Sequence, residues 1–420
     1  MDDKQTAFIT NDAVVTGILL GILALVFYTA SSKKNGWVKF YKIVPSILLC
    51  YFIPALLNTF NIINGEKSAL YTIASRYFLP ASLVLLTLGI DIPALRRLGG
   101  KSTIMFFAGT IGVMVGGPLA LFIVGSINES VLLYKDEEAW KGLATIAGSW
   151  IGGGANQAAM LEVFGASKDL FSQVVVVDVM VGYLWTGILL YGSQHNEKIN
   201  KWLGANSAAI TELENKMEAI DNNRAVTKRG TREWILLLGA AFGLTAVSHF
   251  GADIIAPWFT KNYPASANYS LTSGFFWLVI IATTLGLIFS FTKARKLEQY
   301  GASDLGSVFL YFLVATIGMQ MDLKAVLTSP TLFVIALIWI IIHIAILLVV
   351  AKWIKAPFFF VAVGSQANIG GAASAPIVAA AFNKYLAPVG VLLAILGYAV
   401  GTYGGYLCGL SLKYVSELLR

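Results

Sequence analysis

The chain has 420 residues, 57% of them hydrophobic and only 13% charged, with a formal net charge of +7 and a mean hydropathy of +0.73. A soluble domain carries roughly 25% charged residues and sets its apolar ones along amphipathic elements; here long runs have no polar face, which excludes a water-soluble enzyme and a disordered chain. The basic residues fall in short clusters between apolar runs, as loop charge that orients a membrane protein does, so the excess is not a nucleic-acid footprint and the chain reads as an all-α polytopic membrane protein.

In chain order, residues 1–11 are acidic and polar. Without a basic n-region they predict no cleavable signal peptide. A helix needs about 20 apolar residues to cross the hydrocarbon. The first half supplies such runs at 12–30, 43–61, 72–90, 103–126 and 171–193. A long polar stretch, 195–233, follows, in which 211–220 predicts a short amphipathic surface helix. The second half supplies runs at 234–255, 272–292, 305–321, 330–351 and 387–412. Two further segments, 141–166 and 356–383, are apolar but rich in small and amide residues. They predict hairpins that turn back within the membrane, or broken helices. Cys50 and Cys408 both lie inside apolar runs, and no disulfide is expected.

Lys and Arg set the orientation. With the N-terminus outside and both hairpins re-entrant, about 20 of the 30 basic residues face the cytoplasm, the 195–233 stretch included. Both termini are then outside. Full crossings by the hairpins would turn that basic stretch outward, so the count favours re-entrance.

The halves echo each other. Leu86-Thr87-Leu88-Gly89-Ile90-Asp91-Ile92 parallels Ala315-Thr316-Ile317-Gly318-Met319-Gln320-Met321, Gly148-Ser149 parallels Gly364-Ser365, and Gly182-Tyr183 parallels Gly397-Tyr398. Five crossings per half is an odd number, so the second half enters inverted. About ten spans in two inverted five-span repeats, each with a re-entrant hairpin or broken helix, is a transporter design.

The tips carry the chemistry. The first runs Gly148-Ser149-Trp150-Ile151-Gly152-Gly153-Gly154-Ala155-Asn156-Gln157, the second Gly364-Ser365-Gln366-Ala367-Asn368-Ile369-Gly370-Gly371. Glycine clusters interrupt helices and let backbone groups face a ligand, and unpaired backbone is tolerated at membrane depth only inside protein or beside a cavity. Ser149, Asn156, Gln157, Ser365, Gln366 and Asn368 are therefore the candidate substrate contacts. Gly153, Gly154, Gly370 and Gly371 are candidate ion contacts through their carbonyls, and Gln320 joins them because it follows Gly318 as Asp91 follows Gly89. Asp178, within a run of valines, reads as a Na⁺ ligand or proton carrier, against an acid that is paired or capping a helix. Packing is the reading for Gly109, Gly112 and Gly116, capping or the interface for Asp91 and Asp322, and hydrogen-bonded structure for His343. Glu162 either lines the cavity or reaches water. There is no GxxxxGK[ST] run and no HExxH, so no enzyme is expected.

At the paired tips, at Pro45-Ser46-Ile47-Leu48-Leu49 and at the Thr87 to Asp91 stretch, the chain resembles the YjcL-like family of bacterial membrane proteins of unassigned function, over nearly its whole length. That family is similar in design to bile-acid:sodium symporters, sodium:proton antiporters and citrate and glutamate sodium symporters. The resemblance implies a dimerising scaffold (12–61 and 234–292) and a mobile core (72–194 and 305–413), joined by a cytoplasmic linker at 195–233, in repeats of 1–194 and 234–420. It implies elevator transport in a bacterial inner membrane by a homodimer. The expectation is sodium-coupled symport of a small organic solute, for which helix N-termini favour a carboxylate. The alternatives are a cation:proton antiporter using Asp178, a proton-coupled solute transporter, and a non-transporting membrane scaffold or partner subunit. The absence of an adjacent Asp-Asp pair disfavours pure sodium:proton antiport. Partners are the solute and lipid, with no nucleic acid, and no cofactor beyond Na⁺ or H⁺.

Overall fold

A computed structural model describes residues 8–41, 44–65, 67–205, 210, 213, 230–321 and 330–420. Most of the helix expected over 211–220, and Asp322, lie outside the described residues. Fourteen helices carry the architecture. In the first half they are α1 (Asp12–Ala30), α2 (Ser46–Thr59), α3 (Leu70–Leu88), α4 (Gly100–Ile127), α5 (Ala139–Gly152), α6 (Gly154–Phe164) and α7 (Lys168–Gln194). The second half gives α8 (Thr231–Asn262), α9 (Gly274–Ser290), α10 (Ala302–Gly318), α11 (Pro330–Trp353), α12 (Phe358–Ile369), α13 (Gly371–Ala380) and α14 (Ala387–Leu418).

Local chemistry sets their ends. Asn11 caps α1 by accepting from the backbone N–H groups of Ala13 and Val14, Ser167 caps α7 through Leu170 N–H, and Ser273 caps α9 through Phe276 N–H. In α3 the turn Ala74–Phe78 widens to a π-helix just before Pro80. Proline has no N–H for the carbonyl four residues back, which is that of Arg76. His249 of α8 donates Nε2–H to that carbonyl at 2.8 Å, so the orphaned group is satisfied from a neighbouring helix, as a membrane interior demands.

Among the described residues, seven helices are long and apolar enough to cross a membrane, or nine if each of two bent pairs forms one span. The ten expected crossings are thus corrected to between seven and nine. All ten runs are helical, but three are short. α2 has 14 residues and reaches crossing length only with Asn35–Tyr41, to which it is bent by 85°. α9 likewise joins Lys293–Tyr300 across a 98° bend. α10 has 17 residues, about 26 Å of helix, because its run ends at Gly318.

The two short paired segments fold back on themselves. In the first, a Cβ at Gly148 would lie 2.6 Å from Asn156 O and 2.8 Å from Met160 Cγ, and Trp140 packs on Phe164 with ring centroids 5.4 Å apart. In the second, Gln366 bonds Ser374 at 2.6 Å, and Phe359 meets Phe382 at 5.4 Å. Each contact pairs residues on either side of a glycine break, so α5–α6 and α12–α13 are antiparallel hairpins closed by aromatics at their open ends. Their tips meet: a Cβ on Gly371 would lie 3.9 Å from Gly153 Cα.

Packing between the halves is reciprocal. Gly318 of α10 admits the Tyr51 backbone of α2, and Gly286 of α9 admits Thr87 and the Val84 backbone of α3. The first hairpin lies along α14 through facing small residues: Gly401 approaches Gly152, Gly405 approaches Gly148, and Gly409 approaches Ala144. Glycines spaced by four let two backbones approach closely. On α4, Gly112 admits His343, and Gly116 and Gly117 admit Trp339, all from α11, which is the packing role read for that stripe.

Candidate functional site

A cavity of about 420 Å³ lies between the hairpin tips, α7 and the start of α2. Its size falls within the range of small-molecule sites, about 300–1,000 Å³. The tips contribute Ser149, Gly153, Gly154, Gln157, Gln366, Gly370 and Ser374; α7 contributes Asp178, Gly182, Tyr183 and Thr186; and Tyr41, Ser46, Tyr51 and Tyr311 close the other side.

Asp178 is 7% exposed. Its Oδ2 accepts from Ser149 Oγ at 2.7 Å and from Gln157 Nε2 at 2.7 Å, and its Oδ1 accepts from Trp150 Nε1 at 2.6 Å. A carboxylate offers about four acceptor positions, so one on Oδ1 stays open. All three donors come from the first hairpin. Among the described residues no Lys, Arg or His pairs with Asp178 or lines the cavity. The charge is therefore held by neutral groups and has no counter-cation from the protein.

Gln366 faces the same cavity. Its Nε2 donates to Thr186 Oγ1 at 2.8 Å and to Ser374 Oγ at 2.6 Å. Thr186 spends its own hydroxyl proton on Gly182 O, so it must accept from Gln366, which fixes the orientation of the amide. Gln366 Oε1 is left buried without a partner, and so is Tyr51 Oη. Buried polar groups are nearly always satisfied, so these two cavity-lining residues each carry an unmet hydrogen-bonding group.

Asn156 and Asn368 are both fully buried, and neither lines the cavity. Asn156 Nδ2 donates to the carbonyls of Gly152 and Tyr398, and Thr402 Oγ1 donates to its Oδ1 at 2.6 Å. Asn368 repeats this on another helix, with Nδ2 donating to Gly364 O and Phe106 O, and Thr110 Oγ1 donating to Oδ1 at 2.8 Å. In each case the amide spans a carbonyl and the threonine four residues on. They clamp the hairpins to α14 and α4, and their polar atoms are turned from the cavity.

Ser365 is also built into structure. His343 Nδ1 lies 3.0 Å from Gly109 O and Nε2 lies 2.7 Å from Ser365 Oγ, which also accepts from Trp185 Nε1 at 2.8 Å. A carbonyl only accepts, so Nδ1 carries the proton and Ser365 donates to Nε2. The chain from Trp185 to Gly109 is closed, as the structural reading of His343 expects. Gln320 lies apart from the cavity and donates to Gly65 O. Glu162 bonds Tyr71 and pairs with Arg76 at 3.5 Å and Lys168 at 3.4 Å. Asp91 caps a short helix through Ala94 N–H and pairs with Arg295 at 2.9 Å.

The structure thus brings together at the cavity Ser149, Gln157, Asp178, Gly153, Gly154, Gln366 and Gly370, sets Gly371 behind them against Gly153, and places Asn156, Asn368, Ser365 and Gln320 elsewhere. Sequence reasoning missed Trp150 and the tyrosines. Trp150 was legible as an indole beside Ser149, and Tyr183, five residues after Asp178, as the partner of Gly182, but Tyr41, Tyr51 and Tyr311 come from distant segments and carry no local signal.

The family described as "Protein of unknown function (DUF819)" matches residues 17–415. The uncharacterized membrane protein YjcL of Bacillus subtilis (strain 168) is 26% identical over 351 residues, 82% of this chain and 84% of that protein. The likeness read at the tips therefore extends along most of the molecule, and the relative and the apolar helices agree on a multi-pass membrane protein.

Proposed function

The chain belongs to the DUF819 family, and we propose that it is a secondary active transporter in which a cation is coupled to solute movement at Asp178. One observation carries this reading: a buried carboxylate, held by three neutral donors and given no protein cation, sits at a cavity between two hairpin tips. An intramembrane acid of that kind marks an ion or proton path. Na⁺ is the first candidate, taken up by the open position on Oδ1 with neighbouring oxygens, in symport with a small organic solute. Proton coupling at Asp178, as antiport or symport, is the second, because the same open position takes a proton.

The cavity lies where the expected scaffold, through Ser46 and Tyr51 of α2, meets the expected core of hairpins and α7. This supports elevator movement of the core past a fixed scaffold, with the two halves as inverted repeats and their reciprocal packing as the trace of that symmetry. The apolar outer faces of α1 and α8, which expose Leu25, Tyr28, Phe250 and Trp258, suit lipid and a second copy in a bacterial inner membrane.

The test is the thermal stability of the purified full-length protein in Na⁺ against K⁺, at fixed ionic strength and two pH values. A ligand of the native state raises its stability by mass action. A Na⁺-specific rise lost in Asp178→Asn and weakened in Ser149→Ala is expected. A pH effect without a Na⁺ effect, removed by Asp178→Asn, selects proton coupling. Identical behaviour of wild type and Asp178→Asn in every condition overturns the reading.

A further inference from the structure

The cavity is lined by one acid, four tyrosines and neutral polar side chains. Among the described residues that line it, Asp178 is the only one with an ionisable acid or base of the Asp, Glu, Lys, Arg or His kind. Tyr41, Tyr51, Tyr183 and Tyr311 border it; aromatic faces attract cations. Gln366 Oε1, buried to 1% exposure, is an acceptor with no donor, and its amide cannot be turned to present N–H instead, because Thr186 needs that donor.

The helix termini do not offset this. An isolated helix N-terminus carries about half a positive charge. Here, however, each tip is the C-terminus of one arm and the N-terminus of the other: α5 ends at Gly152 where α6 begins at Gly154, and α12 ends at Ile369 where α13 begins at Gly371. Opposed dipoles at one point largely cancel, which removes the ground on which a carboxylate-bearing solute was expected.

Resting on the reading of Asp178 as the coupling site, we infer that the solute is a small organic amine, bound as its ammonium ion at this cavity. Its charge is answered by the open position of Asp178. Its N–H groups supply the donor that Gln366 Oε1 lacks, and its carbon frame lies among the tyrosines. One carboxylate does not neutralise an ammonium and a metal cation together. Solute and coupling cation therefore alternate at Asp178, which for an amine solute favours the antiport form of the proposed coupling over Na⁺ symport.

The experiment measures Tm shifts of the purified full-length protein, in K⁺ buffer at constant ionic strength, with n-butylammonium, tetramethylammonium or butyrate. Butylammonium is expected to raise Tm, tetramethylammonium to do so less because it has no N–H, and butyrate not at all. Added Na⁺, or protons, should shrink the butylammonium shift by competition. Asp178→Asn should abolish it, and Tyr51→Phe, which removes one hydroxyl, should reduce it in a protein that still folds. Stabilisation by butyrate, or a butylammonium shift that survives Asp178→Asn, overturns the inference. An Asp178-dependent effect of Na⁺ or pH with no effect of any organic probe overturns the amine and leaves the coupling site standing. Loss of every Asp178-dependent effect removes both.

Discussion

Tyr51 is fully buried and its hydroxyl has no partner. An unsatisfied buried group costs about 1–3 kcal/mol. Tyr51→Phe should therefore raise the Tm of the ligand-free protein, and a fall would show that the hydroxyl is already satisfied. The asparagines carry the opposite expectation. Asn156 makes two hydrogen bonds to α14, with Tyr398 and Thr402, and such bonds between membrane helices contribute about 0.6 kcal/mol on average. Asn156→Ala and Asn368→Ala should each lower stability by about 1–2 kcal/mol while leaving any ligand-dependent increment in Tm intact. Loss of that increment with stability unchanged would return them to the binding site. Their clamping role was not legible because a tip asparagine looks the same whether its partner is a solute or a carbonyl 242 residues away. Asp178 was legible for a physical reason: a carboxylate among valines is costly unless something in the fold answers it.

The hairpin is the element on which the site depends. Gly153 has φ 76° and ψ −171°, a region open almost only to glycine, and a Cβ there would find free space, with Tyr398 Cε1 nearest at 3.8 Å. Gly153→Ala thus tests backbone strain without a clash. It should cost about 1–3 kcal/mol and weaken cation-dependent stabilisation, because Ser149, Trp150 and Gln157 hold Asp178 from both sides of that turn. Gly243→Ala on α8, away from the cavity and with no atom within 4 Å of the added carbon, should cause neither loss. If the two variants behave alike, the turn does not position the donors. Glycine and amide clusters inside apolar runs announced these hairpins in the sequence, since neither helix propensity nor lipid solubility accounts for them. The shortness of α2, α9 and α10 was not announced. Hydropathy counts apolar residues and does not register where a bend interrupts a run, as at the 85° angle between Asn35–Tyr41 and α2.

Across the whole molecule the cavity has a direction. Its lining follows α7 from Val175 to Leu190, near the end that leads into the basic 195–233 stretch, and includes Tyr41 beside another basic segment. At the other end of α7, Lys168 and Glu162 join Arg76 and Tyr71 across α3, α6 and α7. On the proposed topology the positive-inside rule puts that end of α7 at the cytoplasm, and the proposed transporter reading then predicts that this conformer is inward-facing, with the ionic cluster closing the far side. Cysteine labelling tests it. Cys50 and Cys408 are buried, so the native background is low, and Ala373 lies exposed on the cavity wall. Ala373→Cys should react with a membrane-impermeant maleimide in inside-out vesicles and little in right-side-out ones. Adding Glu162→Gln removes the acid shared by Arg76 and Lys168, and it should increase labelling from the outside at the expense of the inside. Equal labelling from both faces before that change would mean the ionic cluster seals nothing, and labelling only from outside would reverse the orientation.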